Sequence, residues 1–416
     1  MFCSGICRTL RRLIRNREGA IAPMVAIMFP LLIGSAALAV DVTEWTLTKR
    51  QLQQATDSAA IAGVYSLLQS SDVEQGVDDD LSRVASLNPA RSVEIIHPVA
   101  GREDDPYAVS VRVTVPLTLA FSRLFLSHSP LVTATASATV VETGQYCAFA
   151  IGPDSSDGLL IRADSVVEGD CGIASNASSS DAMKIEKGAT VAVKSLASYG
   201  GIDRGDAGAE PLRHGLRQND PYEDTEPPLV PTTGCPNMTQ NADAHRTLVI
   251  EPGCYGNLVL NGTARLQDGE YILNRGSFII GPTANVSCNA CTIFLTSDDP
   301  EGQPGSIGSV KIDQNATVNL SAPSQGPDAG IVLYQDRHVA AGDNENFIGG
   351  SGSSKINGLV YTPSESLHLD ATWAPDVSCA RFIGSRLILE GHIYIASSCP
   401  GGQQVNFRGT DVKLIG

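Results

Sequence analysis

Any chemistry in this sequence would have to come from a few groups of side chains. Asp298-Asp299, Asp313, Asp336 and Asp370 lie in its strand-rich half. Carboxylates clustered with Arg or Lys on one sheet face are what cleavage of a polysaccharide would need. Asp298-Asp299 stand beside Pro300 in a turn-rich stretch, and the other three share no spacing. His392 has only Glu390 near it in sequence, and a lone histidine is more often structural. No G-x-S-x-G, H-E-x-x-H or P-loop string occurs. Cys288-Asn-Ala-Cys291 has redox-dithiol spacing, but no thioredoxin-like βαβ pattern surrounds it, so a structural bridge is expected. Tyr255, Tyr271, Tyr334, Tyr361 and Tyr394 could line a carbohydrate-binding face, yet stacked tyrosines more often pack, and Trp45 and Trp373 are the only tryptophans. Asn-x-Ser/Thr strings at Asn176, Asn237, Asn261, Asn285, Asn315 and Asn319 suit turns, and Arg204-Gly205-Asp206 reads as a coincidence. The expectation is a protein without catalytic residues, cofactor or bound metal.

The elements that would position these groups start with residues 19–40, which carry no charge. At 1.5 Å per residue, a helix of that length spans about 30 Å, the thickness of a bilayer's hydrocarbon core. Arg8, Arg11, Arg12, Arg15 and Arg17 precede it, and Asp41 and Glu44 follow, so the basic segment 1–18 is expected in the cytoplasm. Ala37-Leu38-Ala39 resembles a signal-peptidase site, but the apolar run is longer than a cleaved signal requires. The helix also continues: from 41 to about 69 no proline intervenes, and Trp45, Leu52, Ala55, Ala59, Ala62 and Ser66 recur on one face. That small-residue stripe predicts close packing by a helix or sheet, and the anchor is expected to stay uncleaved.

Period-two alternation follows, with Val109, Val111, Val113 and Val115 in one strand and Val132, Ala134, Ala136, Ala138 and Val140 in another. Residues 93–98 read as a weaker strand and 119–125 as a short helix. Residues 41–142 thus form an α+β unit of pilin-like kind. The acids Asp78-Asp79-Asp80 and Asp104-Asp105 read as solvated loop charges.

Beyond 142 the signal is repetition. An aliphatic residue, a small residue four positions later and an aliphatic two further on recur at Ile161/Ser165/Val167, Ile185/Ala189/Val191, Leu260/Ala264/Leu266, Ile280/Ala284/Val286 and Ile312/Ala316/Val318. Most steps fit one coil of a parallel β-helix; the 75-residue step from Ile185 to Leu260 could hold about three coils or a large excursion. Residues 143–416 are therefore expected to be mostly β, a parallel β-helix, with a proline-rich loop at 203–237. Eight cysteines follow the apolar run: Cys147, Cys171, Cys235, Cys254, Cys288, Cys291, Cys379 and Cys399. Their number suggests disulfides in an oxidising compartment, with sequential pairing the simplest of many connectivities. The net charge of −16, with five arginines gathered ahead of the membrane segment and an acidic balance after it, excludes a nucleic-acid binder.

The stretch RNREGAIAPMVAIMFPLLIGSAALAVDVTEWTLTKRQLQQATDSAAIAG, residues 15–63, resembles the start of TadG-like proteins of Flp (tight-adherence, Tad) pilus assembly. The residues that carry this are Arg17-Glu18-Gly19-Ala20, Ala39-Val40-Asp41-Val42, Lys49-Arg50-Gln51-Leu52-Gln53-Gln54-Ala55 and the alanine-rich 57–63. Type IV pilin precursors carry a glutamate five residues after the cleaved glycine; counted from Gly19, that place holds Met24, so an assembly or accessory role is implied rather than a fibre subunit. Cys147-Ala-Phe-Ala-Ile151, Cys171-Gly-Ile-Ala-Ser-Asn176, Pro252-Gly-Cys254-Tyr255, Gly269-Glu-Tyr271 and Gly358-Leu-Val-Tyr361-Thr-Pro363 resemble the β-solenoid-like tail of some TadG-like proteins. Others carry a von Willebrand A-type domain with a D-x-S-x-S metal motif. Asp154-Ser155-Ser156-Asp157-Gly158 lacks its second serine and reads as a turn. The resemblance implies a bacterial inner-membrane protein with Tad pilus or other envelope components as partners. An exported β-helical adhesin and a polysaccharide-active enzyme are the alternatives, and polysaccharide binding has no residue pattern behind it.

Overall fold

In the computed structural model the described residues are 21–68, 71–84, 90–97, 99, 104–153, 157–204, 211–213, 215–232, 234–240, 246–340, 345–372, 379–396 and 407–415. The basic segment 1–18, Ser155, Ser156, Asp206, Trp373 and Cys399 lie outside them. Two compact units divide the chain, one Met1–Val141 together with Val412–Gly416 and the other Glu142–Asp411.

The first unit begins with α1 (Ile21–Leu68), which continues without a break from the apolar run into the polar stretch. Ser35, Thr43 and Thr46 return their hydroxyls to helix carbonyls three or four residues back, so they expose no unsatisfied donor. α2 (Val73–Ser82) follows, started by the Asp72 carboxylate, which accepts from the Glu74 and Gln75 amides. Gly76 of α2 lies against Ser66 of α1 so closely that a Cβ there would fall 1.9 Å from the serine hydroxyl. β1 (Ser92–Ile96), β2 (Val109–Pro116) and the first part of β3 (Leu131–Ala150) form an antiparallel sheet, with Ser92 opposite Thr114 and Val109 opposite Ala138. Val109, Val111, Val113 and Val115 face inward with Val132, Ala134, Ala136 and Ala138. A Cβ on Gly63 of α1 would meet Val109 at 3.0 Å. Small residues on both surfaces let helix and sheet approach. The segment 119–125 holds a single 3-10 turn, Ser122–Leu124, and Asp78, Asp79 and Asp80 stand on α2, not on a loop.

The second unit is mostly β, built on a large parallel sheet system in which strands pair with their third neighbours. Leu258–Leu260 pairs with Phe278–Ile280, which pairs with Val310–Ile312, and that with Asn346–Ile348. Gly269–Asn274, Cys291–Thr296 and Ile331–Gln335 form a second such series, and Thr263–Leu266, Asn285–Cys288 and Thr317–Ser321 a third. Parallel pairing stacks like residues on like. One row runs Leu260, Ile280, Ile312, Ile348, Leu369, Leu389, Ile161, Ile185, all buried. Each such side chain contributes roughly 1.5–3 kcal/mol through burial. The small residues Ser165, Ala189, Ala284 and Ala316 each close a four-residue turn, their amides bonded to the carbonyls of Arg162, Glu186, Gly281 and Asp313.

Two features differ from the repeat template. Ala264, not Leu266, stands in register with Val286, because the turn after Leu260 is two residues shorter than that after Ile280. The 75-residue step is also no run of coils between neighbours: Ile185 and Leu260 occupy opposite ends of the row. Residues 159–185 stack beyond Ala380–Ile395, so the earlier strands of this unit lie past its later ones.

Candidate functional site

α1 is the one helix among the described residues long and apolar enough to cross a membrane. Met24, Val25, Ile27, Met28, Phe29, Leu31, Leu32, Ile33, Leu38 and Val40 are all exposed, so its apolar surface is not spent on a core of this chain. Further along, Leu52, Ala55, Ala59 and Ala60 are buried, Ala62 is half-buried, and Trp45 is 47 % exposed. The reason lies in where the sheet ends. Lys49 donates to the Thr133 carbonyl and Gln53 to that of Thr135, so Trp45, a turn before Lys49, is level with the first residues of β3 and has no strand over it.

Asp41, the first charged residue after the apolar run, is itself buried. Its carboxylate accepts from the Phe121 amide at 3.1 Å, the Ser122 amide and the Ser122 hydroxyl. Three donors compensate a charge withdrawn from water. They also clamp the 3-10 turn to the helix at the end of its uncharged stretch.

In the second unit, residues 215–232 form a strap along an outward-facing aromatic row. The row is set by register: Phe294, Tyr334, Tyr361, Ile383 and Phe149 occupy adjacent rungs. Tyr334 and Tyr361 stack at 5.0 Å, and the Tyr222 ring of the strap lies 5.5 Å from Tyr361. Tyr361 donates to the Asp220 carboxylate at 2.6 Å, Arg337 donates to the Tyr222 carbonyl at 2.7 Å and to the Tyr361 oxygen at 2.9 Å, and Tyr334 donates to the Thr225 carbonyl. Gln218 is fixed by Asn176, whose side chain exchanges two 2.8 Å bonds with its backbone. Burial pushes the Tyr334 phenol up to about 12, and burial with the Asp220 carboxylate drives Tyr361 higher still. Both remain proton donors to the strap. Tyr271, Tyr334 and Tyr361 are fully buried, so they form no open sugar-binding platform.

The acids are arranged differently from their order in sequence. Asp336 is buried in a turn, accepting from Thr296 at 2.7 Å and from the His338 amide at 3.0 Å. Asp298 pairs with Arg275, and Asp313 caps its own turn through the Asn315 amide. Asp370 stands in register with Glu390 and accepts from Gln314. His368, two residues from Asp370, lies between Glu390 at 3.1 Å and Glu345 at 3.2 Å, while His392 faces Glu168 instead. Sequence spacing could not reveal this Glu345–His368–Glu390 group, because its members come from separate rungs. Asp157 of the D-S-S-D-G string pairs with Arg386 at 2.8 Å.

The cysteines join as neighbours in sequence: Cys147 to Cys171, Cys235 to Cys254 and Cys288 to Cys291, with Cα separations of 5.8, 5.0 and 6.2 Å. Cys379 is disulfide-bonded as well. Cys235 ties the end of the proline-rich segment to Gly253–Tyr255.

An exposed apolar helix running into a sheet-covered stripe makes α1 a candidate membrane anchor, and it leads into a disulfide-bonded, mostly-β unit. Residues 19–66 match the family described as "Putative Flp pilus-assembly TadE/G-like", which relates the protein to the Tad pilus. The match covers the apolar run and the stripe and ends before β1. Neither a curated protein nor a solved structure matches the chain.

Proposed function

We propose that this protein is a non-catalytic, membrane-anchored assembly or accessory component of a bacterial Flp (Tad) pilus. α1 would cross the inner membrane once with the basic segment 1–18 in the cytoplasm, and the remainder would stand outside. The second unit is read as a parallel β-helix, supported by parallel pairing of each strand with its third neighbour and by the stacked aliphatic row. Its surface would make contact with pilus or envelope partners, or serve adhesion.

The observation that carries the proposal is a coincidence of two findings on the same helix. The TadE/G-like match spans 19–66, and within it the apolar half is left exposed while the polar half is covered by sheet. The engagement of Asp336, Asp298 and Asp313 in turns and ion pairs supports a non-catalytic role.

Cell fractionation with mass measurement of the N-terminal peptide tests this. An intact N-terminus in the inner membrane is expected. A chain beginning near Ala20 in sheared surface material would make it a fibre subunit, and one beginning near Val40 in soluble material a released adhesin or enzyme. Either would overturn the anchor.

A further inference from the structure

We infer that the segment 119–126 is a lipid-seated foot, which rests the first unit on the outer face of the bilayer that α1 crosses. The inference depends on the anchor proposed above. Single exposed apolar residues are ordinary on protein surfaces, but a cluster marks a contact. Here Phe121, Leu124, Phe125, Leu126 and Leu131 are 42, 74, 89, 48 and 68 % exposed within one short stretch. The described residues of the first unit leave these faces open.

Their position along α1 says what covers them. Asp41 follows directly on the uncharged run 19–40, so it stands at the edge of the hydrocarbon, where one further residue adds only about 1.5 Å. Its carboxylate holds the Phe121 and Ser122 amides, which sets the 3-10 turn at that height beside the helix. Val42, Trp45 and Leu47, all exposed, continue the apolar surface along the next ~9 Å of α1. A tryptophan with aliphatic neighbours at the end of a spanning helix is the pattern of a membrane interface. Arg123, exposed on the turn itself, supplies a cation for lipid phosphates. The short turn buries its polar backbone partly in Asp41, which lowers the cost of seating it in the interface.

The occupant is therefore lipid rather than protein, and it can be captured directly. The full chain is placed in vesicles of phosphatidylethanolamine and phosphatidylglycerol with p-benzoylphenylalanine in place of Phe125, or of Tyr107 as a control. Tyr107 is exposed and lies just before Val109, at the far end of β2, a strand about 23 Å long. On irradiation, a lipid adduct is expected at 125 and none at 107. Asp41→Ala should lose most of the adduct at 125 while the chain still floats with the vesicles. A floating chain with no lipid adduct at 125, or with equal adducts at both positions, would overturn the foot and leave the anchor standing. A crosslink from 125 to a second copy would also overturn it, making the patch a protein interface. A chain that fails to float would overturn the anchor itself, and the foot with it.

Discussion

The side chain of Tyr222 holds the strap by its ring and not by its hydroxyl, and the two halves of that statement can be separated. The ring is buried against Tyr361, while its hydroxyl is buried with no hydrogen-bond partner among the described residues. Tyr222→Ala removes the ring and leaves a cavity between strap and sheet. Aromatic-to-alanine changes in cores cost about 3–5 kcal/mol, and the lower end applies because the strap can settle inward. Tyr222→Phe removes only an unpartnered hydroxyl, so it should be neutral within about 1 kcal/mol or stabilising. The strap is an irregular segment lying over the sheet, so it should open locally before the unit unfolds. Hydrogen exchange at the amides of Gly215, Gln218 and Thr225, which bond to Ser198, Asn176 and Tyr222, reads that opening. A 3 kcal/mol loss corresponds to roughly hundred-fold faster exchange in Tyr222→Ala, with Tyr222→Phe near the parent. Unchanged protection in Tyr222→Ala would show that the ring does not hold the strap. Equal damage from both substitutions would shift the role to the hydroxyl and refute the reasoning.

Ala59→Leu should overpack the buried face of α1 and destabilise the first unit by roughly 1–3 kcal/mol, read by thermal unfolding; an unchanged melting profile would mean the stripe is not packed. Cys235→Ser with Cys254→Ser opens a loop of sequence separation 19 and should cost about 3 kcal/mol, measured by denaturant unfolding without reductant. Asp328 is pushed up to about 6 by burial and by the neighbouring Glu270 carboxylate. Its folded value lies above its unfolded one, so its contribution is full below about pH 4 and is lost as pH rises through 6. Stability should therefore rise on acidification through that window, and Asp328→Asn should flatten the response; a flat profile in the parent chain would contradict the shift.

The outline of the candidate site was legible in the sequence where its signals are local. An uncharged run reports its own length, a helical stripe its own face, and alternating valines their own strand. Cysteines a short distance apart found each other because neighbouring rungs bring them within reach, as Cys147 and Cys171 do. Asp41's role as a clamp was not legible, since its partners Phe121 and Ser122 lie 80 and 81 residues away. The same is true of His368, which meets Glu345 and Glu390 only through stacking.

What the sequence by itself determined is the identity of the rungs: residues such as Ile161, Ile185, Leu260, Ile280 and Ile312 must point inward, because a short strand with one apolar face has no alternative. Their order was decided only by the tertiary structure. Each rung offers its neighbour the same backbone donors and acceptors and the same aliphatic row, so local pattern cannot say which rung follows which. Stacking residues 159–185 beyond Ala380–Ile395 puts Arg213 and Met238 at opposite ends of the sheet system. The proline-rich segment must then run the length of the aromatic row to reconnect them. It carries Asp220 and Tyr222 to Tyr361 and Thr225 to Tyr334 on the way, and Cys235 secures it at Cys254. A stretch that reads as a loop in sequence is a strap in the fold because the two ends it joins are far apart.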